Sequence, residues 1–196
     1  VQRAVEALRC GGVVVYPTET LYGLGVDATD ERALGRLVDL KGREEGKPIS
    51  VLVGDRAMLD TIAAEVPVAA ERLMRRFWPG PLTIAVPARP GVSRRLTAGG
   101  GTIGVRCSSH PLAAALVAGL GRPLTAPSAN PAGAPPPRTV AEARRYFGDA
   151  IDAWVDGGVL PGGVGSTVVD AANEIEIIRE GAIPAAEIKA ALREES

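Results

Sequence analysis

The sequence is short of the groups that build the commonest reactive centres. Its 196 residues contain one histidine, His110, and two cysteines, Cys10 and Cys107. A lone histidine excludes a His-based metal cage and a His-Cys-Cys deaminase site, and no zinc spacing is present. The two cysteines have no motif spacing and cannot build a disulfide framework, so both read as small buried or half-buried hydrophobes. Charge of one sign is also missing, with 22 Lys and Arg against 23 Asp and Glu and a formal net charge of -1. Proteins that rely on bulk attraction to nucleic acid are usually basic, so any RNA contact has to be local. No run approaches the roughly 20 apolar residues that cross a bilayer. Residues 1–12 read as an amphipathic helix without the form of a signal peptide. No membrane partner is expected, and a reducing, cytoplasmic setting is.

Standard nucleotide and nucleophile signatures are absent too. Gly99, Gly101 and Gly104 spell a dinucleotide pattern but lead into a strand and open no helix. Gly46-Lys47 is followed by Pro48, where a P-loop demands Ser or Thr. Any nucleotide would be held without a Walker motif, and there is no nucleophile elbow.

What is present is a globular chain, 46% apolar and 23% charged, long enough to bury a real core. Its periodicity alternates between helix and strand. Helices are expected at 2–9, from an Asp30 cap through Val38, from an Asp55 cap through Ile62, and from Pro67 to Phe77. Others are expected at 111–120, from a Thr139 cap to Phe147, and after Pro184. Continuous apolar or alternating runs predict strands at 13–16, 49–53, 82–86, 102–106, 124–126, 153–155, 167–169 and 175–178. Such alternation argues for an α/β sandwich about one mixed, twisted sheet.

Four segments are not explained by core packing. Residues 16–25, YPTETLYGLG, cluster polar groups where a buried strand exits, which is either an ordinary capped turn or a ligand loop. Lys41, Arg43 and Lys47 end a helix; they either complement its dipole or clamp phosphate, with Arg43 as a planar fork and the lysines as mobile point charges. On the strand 102–106, Thr102, Gly104 and Arg106 share one face. An inward Arg106 needs an anion, from a protein carboxylate or a substrate. Residues 126–133, APSANPAG, form a polar strand exit with Arg138 beyond it, and the Pro-rich run 131–137 reads equally as a stiff site loop or a surface connection. Ser166 and Arg179 repeat the theme of a hydroxyl or cation beside glycine. Together these residues suit a polyanionic ligand beside a small amino-acid-like one.

The order and spelling of YPTETLYGLG, KGR, WPGPLT, TIGVR, HPL, PSAN, STVVD and IIREGAI resemble the YrdC/Sua5 family of threonylcarbamoyl-adenylate synthases. The family's KxR and SxN signatures appear as Lys41/Arg43 and Ser128/Asn130. The resemblance implies a YrdC/RibB-like α/β fold: a twisted, mixed, open sheet with flanking helices and a central concave cavity, in one domain over 1–196. It implies that Arg43, Lys47, Thr102, Asn130, Arg138 and Arg179 hold ATP, with Lys41 and Arg43 at the reacting phosphates. Thr20, Arg106, Ser128 and Ser166 would hold L-threonine, Arg106 meeting its carboxylate. Mg²⁺ would accompany ATP without a dedicated protein side-chain cage. Bicarbonate is the third substrate, and a tRNA threonylcarbamoyltransferase complex the downstream partner. Leu52, where many members carry His, and Gly165, where an acidic residue or Pro is usual, depart from the family spelling. Two other readings stand beside the synthase: a carbamoyl-adenylate module like that of hydrogenase maturation proteins, and a non-enzymatic RNA-binding protein.

Overall fold

The structure is a computed structural model that describes residues 1–42 and 46–193. Helix α1 (Gln2–Arg9) buries Ala4, Val5 and Leu8 as one stripe. Strand β1 (Val14–Pro17) is buried along its whole length, as a strand covered on both faces must be. An element not expected follows: residues 22–25 of the polar strand-exit segment form β2 (Tyr22–Gly25), antiparallel to β1. The cause is steric. A Cβ would stand 2.8 Å from the Tyr16 ring at Gly25 and 3.0 Å at Gly23, so bare backbone lets that ring lie across its neighbour.

The Asp30 carboxylate accepts from the Arg32 and Ala33 N–H groups and starts α2 (Glu31–Lys41), which Gly42 ends at φ 54°. There follow β3 (Val51–Leu52), α3 (Arg56–Asp60) capped by Asp55, α4 (Val68–Phe77), and β4 (Leu82–Pro87). The peptide bond between Trp78 and Pro79, ahead of β4, is cis. Next come α5 (Arg94–Thr97), β5 (Thr102–Arg106), α6 (Pro111–Leu120), β6 (Leu124–Thr125) and α7 (Val140–Phe147), the last capped by Thr139. Strands β7 (Ala153–Trp154), β8 (Thr167–Asp170) and β9 (Glu176–Arg179) precede α8 (Ala185–Arg193).

The strands form two mixed sheets, one ordered β2-β1-β7 and one ordered β6-β3-β5-β4-β8-β9. The expected continuous sheet is therefore divided, and the parts are joined by bridges at Gly23–Ser128 and Asp27–Leu124. The fully buried Tyr16 hydroxyl reinforces the junction by donating to the Thr125 carbonyl at 2.8 Å. Burial pushes this phenol's pKa up and keeps it a donor.

One face of the larger sheet turns Val51, Ile84, Val86, Ile103, Val105 and Val169 into the main core beneath α2, α4, α7 and α8. A second core packs α1 and α6 on the smaller sheet through Val5, Leu8, Val14, Tyr16, Leu116 and Leu120. Strand alternation then leaves Thr83, Thr102, Gly104, Arg106 and Arg179 on the opposite face. Of the cysteines, Cys107 is half-buried as expected, but Cys10 is exposed, because it caps α1 beyond the end of its apolar stripe. Among the described residues no helix is long and apolar enough to cross a membrane.

The junction between sheets is testable at one atom. Tyr16→Phe leaves the buried Thr125 carbonyl without its donor, and an expected loss of about 1–3 kcal/mol would appear as a lower thermal midpoint. An unchanged midpoint would show that the phenol does not join the sheets.

Candidate active site

The polar face is centred on β5, where Gly104 leaves the backbone bare between Thr102 and Arg106. A Cβ at Gly104 would sit 3.4 Å from both Ser50 Cβ and Thr83 Cγ2, so hydroxyl-bearing side chains flank the open strip. Arg106 is only 5% exposed. Its Nε donates to the Gly80 carbonyl at 3.2 Å, and its Nη2 to Thr20 Oγ1 at 3.4 Å. Nη2 also forms an ion pair with Glu19 Oε1 at 2.8 Å. The anion that an inward Arg106 requires is thus a protein carboxylate in this structure. Glu19 further accepts from the Ser108 hydroxyl and, at 3.3 Å, from the Ser109 N–H. Burial alone would raise the Glu19 pKa, but Arg106 and these hydrogen bonds prevail and hold it below the usual carboxylate value. Thr20 is fixed by its neighbour Thr18, whose hydroxyl donates to the Leu21 carbonyl at 2.7 Å and lies 3.1 Å from Thr20 Oγ1.

Beside this group stand Ser166 and Arg179. Ser166 Oγ is 2.8 Å from Thr83 Oγ1, and Arg179 Nη2 donates to the Ser166 carbonyl at 2.9 Å. A Cβ on Gly181 would collide with the Gly165 carbonyl and with Ser166, so only glycine lets the end of β9 close on the Ser166 loop. Burial, and then the charge of Arg106, push the pKa of Arg179 down, which places two guanidinium groups in one field. Among the described residues no carboxylate is bonded to Arg179.

The PSAN loop forms the other wall. Lys41 is 5% exposed, and its Nζ donates to the Ser128 and Asn130 carbonyls, both at 2.7 Å. The expectation of a mobile point charge is corrected here: Lys41 is built in beneath the loop, because α2 delivers it to carbonyls that need a donor. Asn130 Nδ2 donates to the Pro131 and Ala134 carbonyls at 3.0 and 2.7 Å, leaving Oδ1 buried without a partner. The bridge from Ser128 to Gly23 ties this loop to the strand that leaves Thr20.

The structure therefore brings together Thr20, Arg106, Ser166 and Arg179, and separately Lys41, Ser128 and Asn130. Arg138 is exposed, with Nε on the Leu160 carbonyl at 3.1 Å. It meets the site only through the glycine-rich strap that ends at Gly165 against Arg179. Thr102 at the start of β5 and the exposed Lys47 are not hydrogen-bonded to another candidate, and Arg43 lies outside the described residues. Leu52 belongs to the second core, opposite Arg106 in the β3–β5 register. Sequence reasoning missed Glu19 and Thr83. Glu19 lay within YPTETLYGLG, and Thr83 was the one polar residue in an apolar strand.

A separate concavity of about 810 Å³ lies between α3 and α6, lined by Met58, Cys107, Ala114, Val117 and Gly121. Its walls are largely apolar, and Arg122, the cation that lines it, is paired with Asp27. Among the described residues no cluster of His, Cys, Asp and Glu could hold a metal ion.

A family model named Sua5_yciO_yrdC, described as "Telomere recombination", matches residues 6–181. The chain belongs to the Sua5/YciO/YrdC family. The threonylcarbamoyl-AMP synthase of Pyrococcus abyssi is 38% identical over 192 residues, which are 97% of this chain and 56% of that protein. That of Halorhodospira halophila is 42% identical over 157 residues, 80% of this chain and 82% of that protein. The crystal structure of P. abyssi Sua5 complexed with L-threonine superposes with a TM-score of 0.94 at 38% identity, covering 98% of this chain and 57% of that one. The chain thus spans little more than half the length of the Pyrococcus relative. Membership of the Sua5/YciO/YrdC family accounts for the α/β fold with twisted mixed sheets and flanking helices.

The Glu19 shift has a defined sign. A carboxyl whose folded pKa is depressed stabilises the fold above its unfolded pKa, and that contribution fades as pH falls through the folded value. The stability advantage of wild type over Glu19→Gln in urea unfolding is therefore expected to be steady near neutrality and to shrink below about pH 4. An advantage that grew on acidification would contradict the ion pair.

Proposed function

We propose that this chain joins L-threonine, bicarbonate and ATP into threonylcarbamoyl-adenylate and pyrophosphate, an adenylate used for N6-threonylcarbamoyladenosine at tRNA position 37. The observation that carries the reading is the Arg106–Arg179 pair on one open face, with only Arg106 compensated by a carboxylate. An exposed guanidinium beside a second cation, with no carboxylate of its own among the described residues, is open to an external anion. The names of the relatives at 38% and 42% identity support the same reaction.

In this reaction the threonine amine adds to bicarbonate with loss of water, giving an N-carboxylate. One of its oxygens attacks the α-phosphorus of ATP as the bond to the bridging oxygen breaks and pyrophosphate leaves. No covalent nucleophile is required, so the protein has to align two anions and offset their charge. Arg106, Thr20, Ser128 and Ser166 are assigned to threonine. Arg179, Asn130, Thr102, Lys47, Arg138 and Arg43 are assigned to ATP, with Lys41 holding the loop that carries Ser128 and Asn130.

Mg²⁺ fits these residues as an ion carried on the nucleotide, since such an ion takes few protein ligands. The buried, unpartnered Asn130 Oδ1 is the protein oxygen available to it. When bound, the ion would offset phosphate charge. The adenylate would then pass to a tRNA threonylcarbamoyltransferase complex. The relatives' shared name favours this reading over the carbamoyl-adenylate and RNA-binding alternatives.

Pyrophosphate release from ATP tests the proposal, and it is expected to require both threonine and bicarbonate. Release that ignored either co-substrate would defeat it. Arg179→Ala is expected to lower kcat/KM by about 10²- to 10³-fold, the usual loss of a transition-state donor, with the fold retained by circular dichroism. Near-normal turnover would remove Arg179 from the phosphate site.

A further inference from the structure

Arg106 is tethered along one side only. Its Nε is bonded to the Gly80 carbonyl and its Nη2 to Glu19 and Thr20, while Nη1 makes no hydrogen bond among the described residues. Nη1 is not among the fully buried atoms left without a partner, so it keeps some accessible surface in a residue that is 5% exposed. The guanidinium is thus gripped on the Nε–Nη2 edge and presented on the other. Nη2 is already engaged, so a carboxylate would meet Nη1 alone, and that contact is directional only while the guanidinium plane is fixed.

The grip comes from Glu19. This residue sits on the loop between β1 and β2, yet its carboxylate is held by Ser108 and by the Ser109 N–H, on the segment that follows β5. Arg106 ends that same strand. Glu19 thereby closes a ring of bonds from the Thr20 loop, through its own carboxylate, to both the side chain of Arg106 and the backbone just beyond it. Its depressed pKa keeps it charged at neutral pH. A counter-ion needed only to bury Arg106 could sit anywhere around the guanidinium; this one leaves the substrate-facing nitrogen bare.

We propose that Glu19 is a positioning residue for the amino-acid carboxylate: it holds Arg106 by the Nη2 side so that Nη1 faces the substrate. The inference rests on the reading of Arg106 as the threonine-carboxylate ligand. Glu19 does not touch substrate. It acts through Arg106.

The test is threonine binding by calorimetry together with steady-state kinetics, on wild type, Glu19→Ala and Glu19→Gln. Glu19→Ala is expected to raise the threonine Kd and KM at least about tenfold, the scale of one charge-assisted hydrogen bond, with ATP KM and kcat within about threefold. Glu19→Gln keeps an acceptor for Arg106 at the same reach and is expected to recover part of the loss. Unchanged threonine affinity in Glu19→Ala overturns the proposal. So does a loss shared equally by ATP and threonine that follows the folded fraction in circular dichroism, since that marks a merely structural ion pair. A Gln variant no better than Ala assigns the effect to charge and also overturns it. Wild type that binds no threonine would defeat the underlying substrate assignment, and the inference with it.

Discussion

Two guanidinium groups share one sheet face, and among the described residues only one of them has a carboxylate. Arg179 lies beside a second guanidinium, and both burial and that neighbour disfavour its charge. Arg179 is exposed, so water meets its charge, and an arriving anion would offset the repulsion from Arg106. The surroundings are consistent with that role. Thr83, Ser166, Gly104, Gly165 and Gly181 bring hydroxyls or bare backbone to the space, and of these only the Ser166 carbonyl is bonded to Arg179 among the described residues. The carboxylate that does enter, Glu19, is engaged by Arg106 and two serines.

Net charge hides this arrangement because several of the other arginines are paired where they stand. Arg36 pairs with Asp152, Arg95 with Glu31 and Arg122 with Asp27, and Arg56 with both Asp60 and Glu71. Surface pairs of this kind add little to stability, but they offset positive charge away from the polar sheet face. A formal charge of -1 is thus compatible with a pocket for a highly charged nucleotide.

Much of this was readable from residues alone. Asp30, Asp55 and Thr139 cap the helices they were expected to cap, because an N-cap is a local bond within three residues. Strand 102–106 and helix 111–120 have the expected limits, since their periodicity and flanking glycines and proline agree. The failures were tertiary. Strand β2 exists because Tyr16 packs over Gly23 and Gly25, a contact invisible in a short glycine-rich stretch. The division into two sheets depends on pairings across more than 100 residues. Glu19 was missed for a similar reason: its role is set by Ser108 and Arg106, almost 90 residues away in sequence. Lys41, read either as complementing the helix dipole or as clamping phosphate, is held beneath a loop, a placement that local sequence does not show.

That buried lysine explains the fully buried side-chain oxygen that has no partner among the described residues. By bonding the Ser128 and Asn130 carbonyls, Lys41 fixes the backbone of the PSAN loop, and the Pro131 and Ala134 carbonyls then take both N–H groups of the Asn130 amide. The amide cannot turn over without breaking both bonds, so Oδ1 is held as a buried acceptor. A chamber built solely for anions would have no use for an acceptor at that cost. An acceptor among cations suits ligands that bring donors or a metal ion along with their negative charge. The proposed amino acid and metal-bound nucleotide, held side by side, would do both.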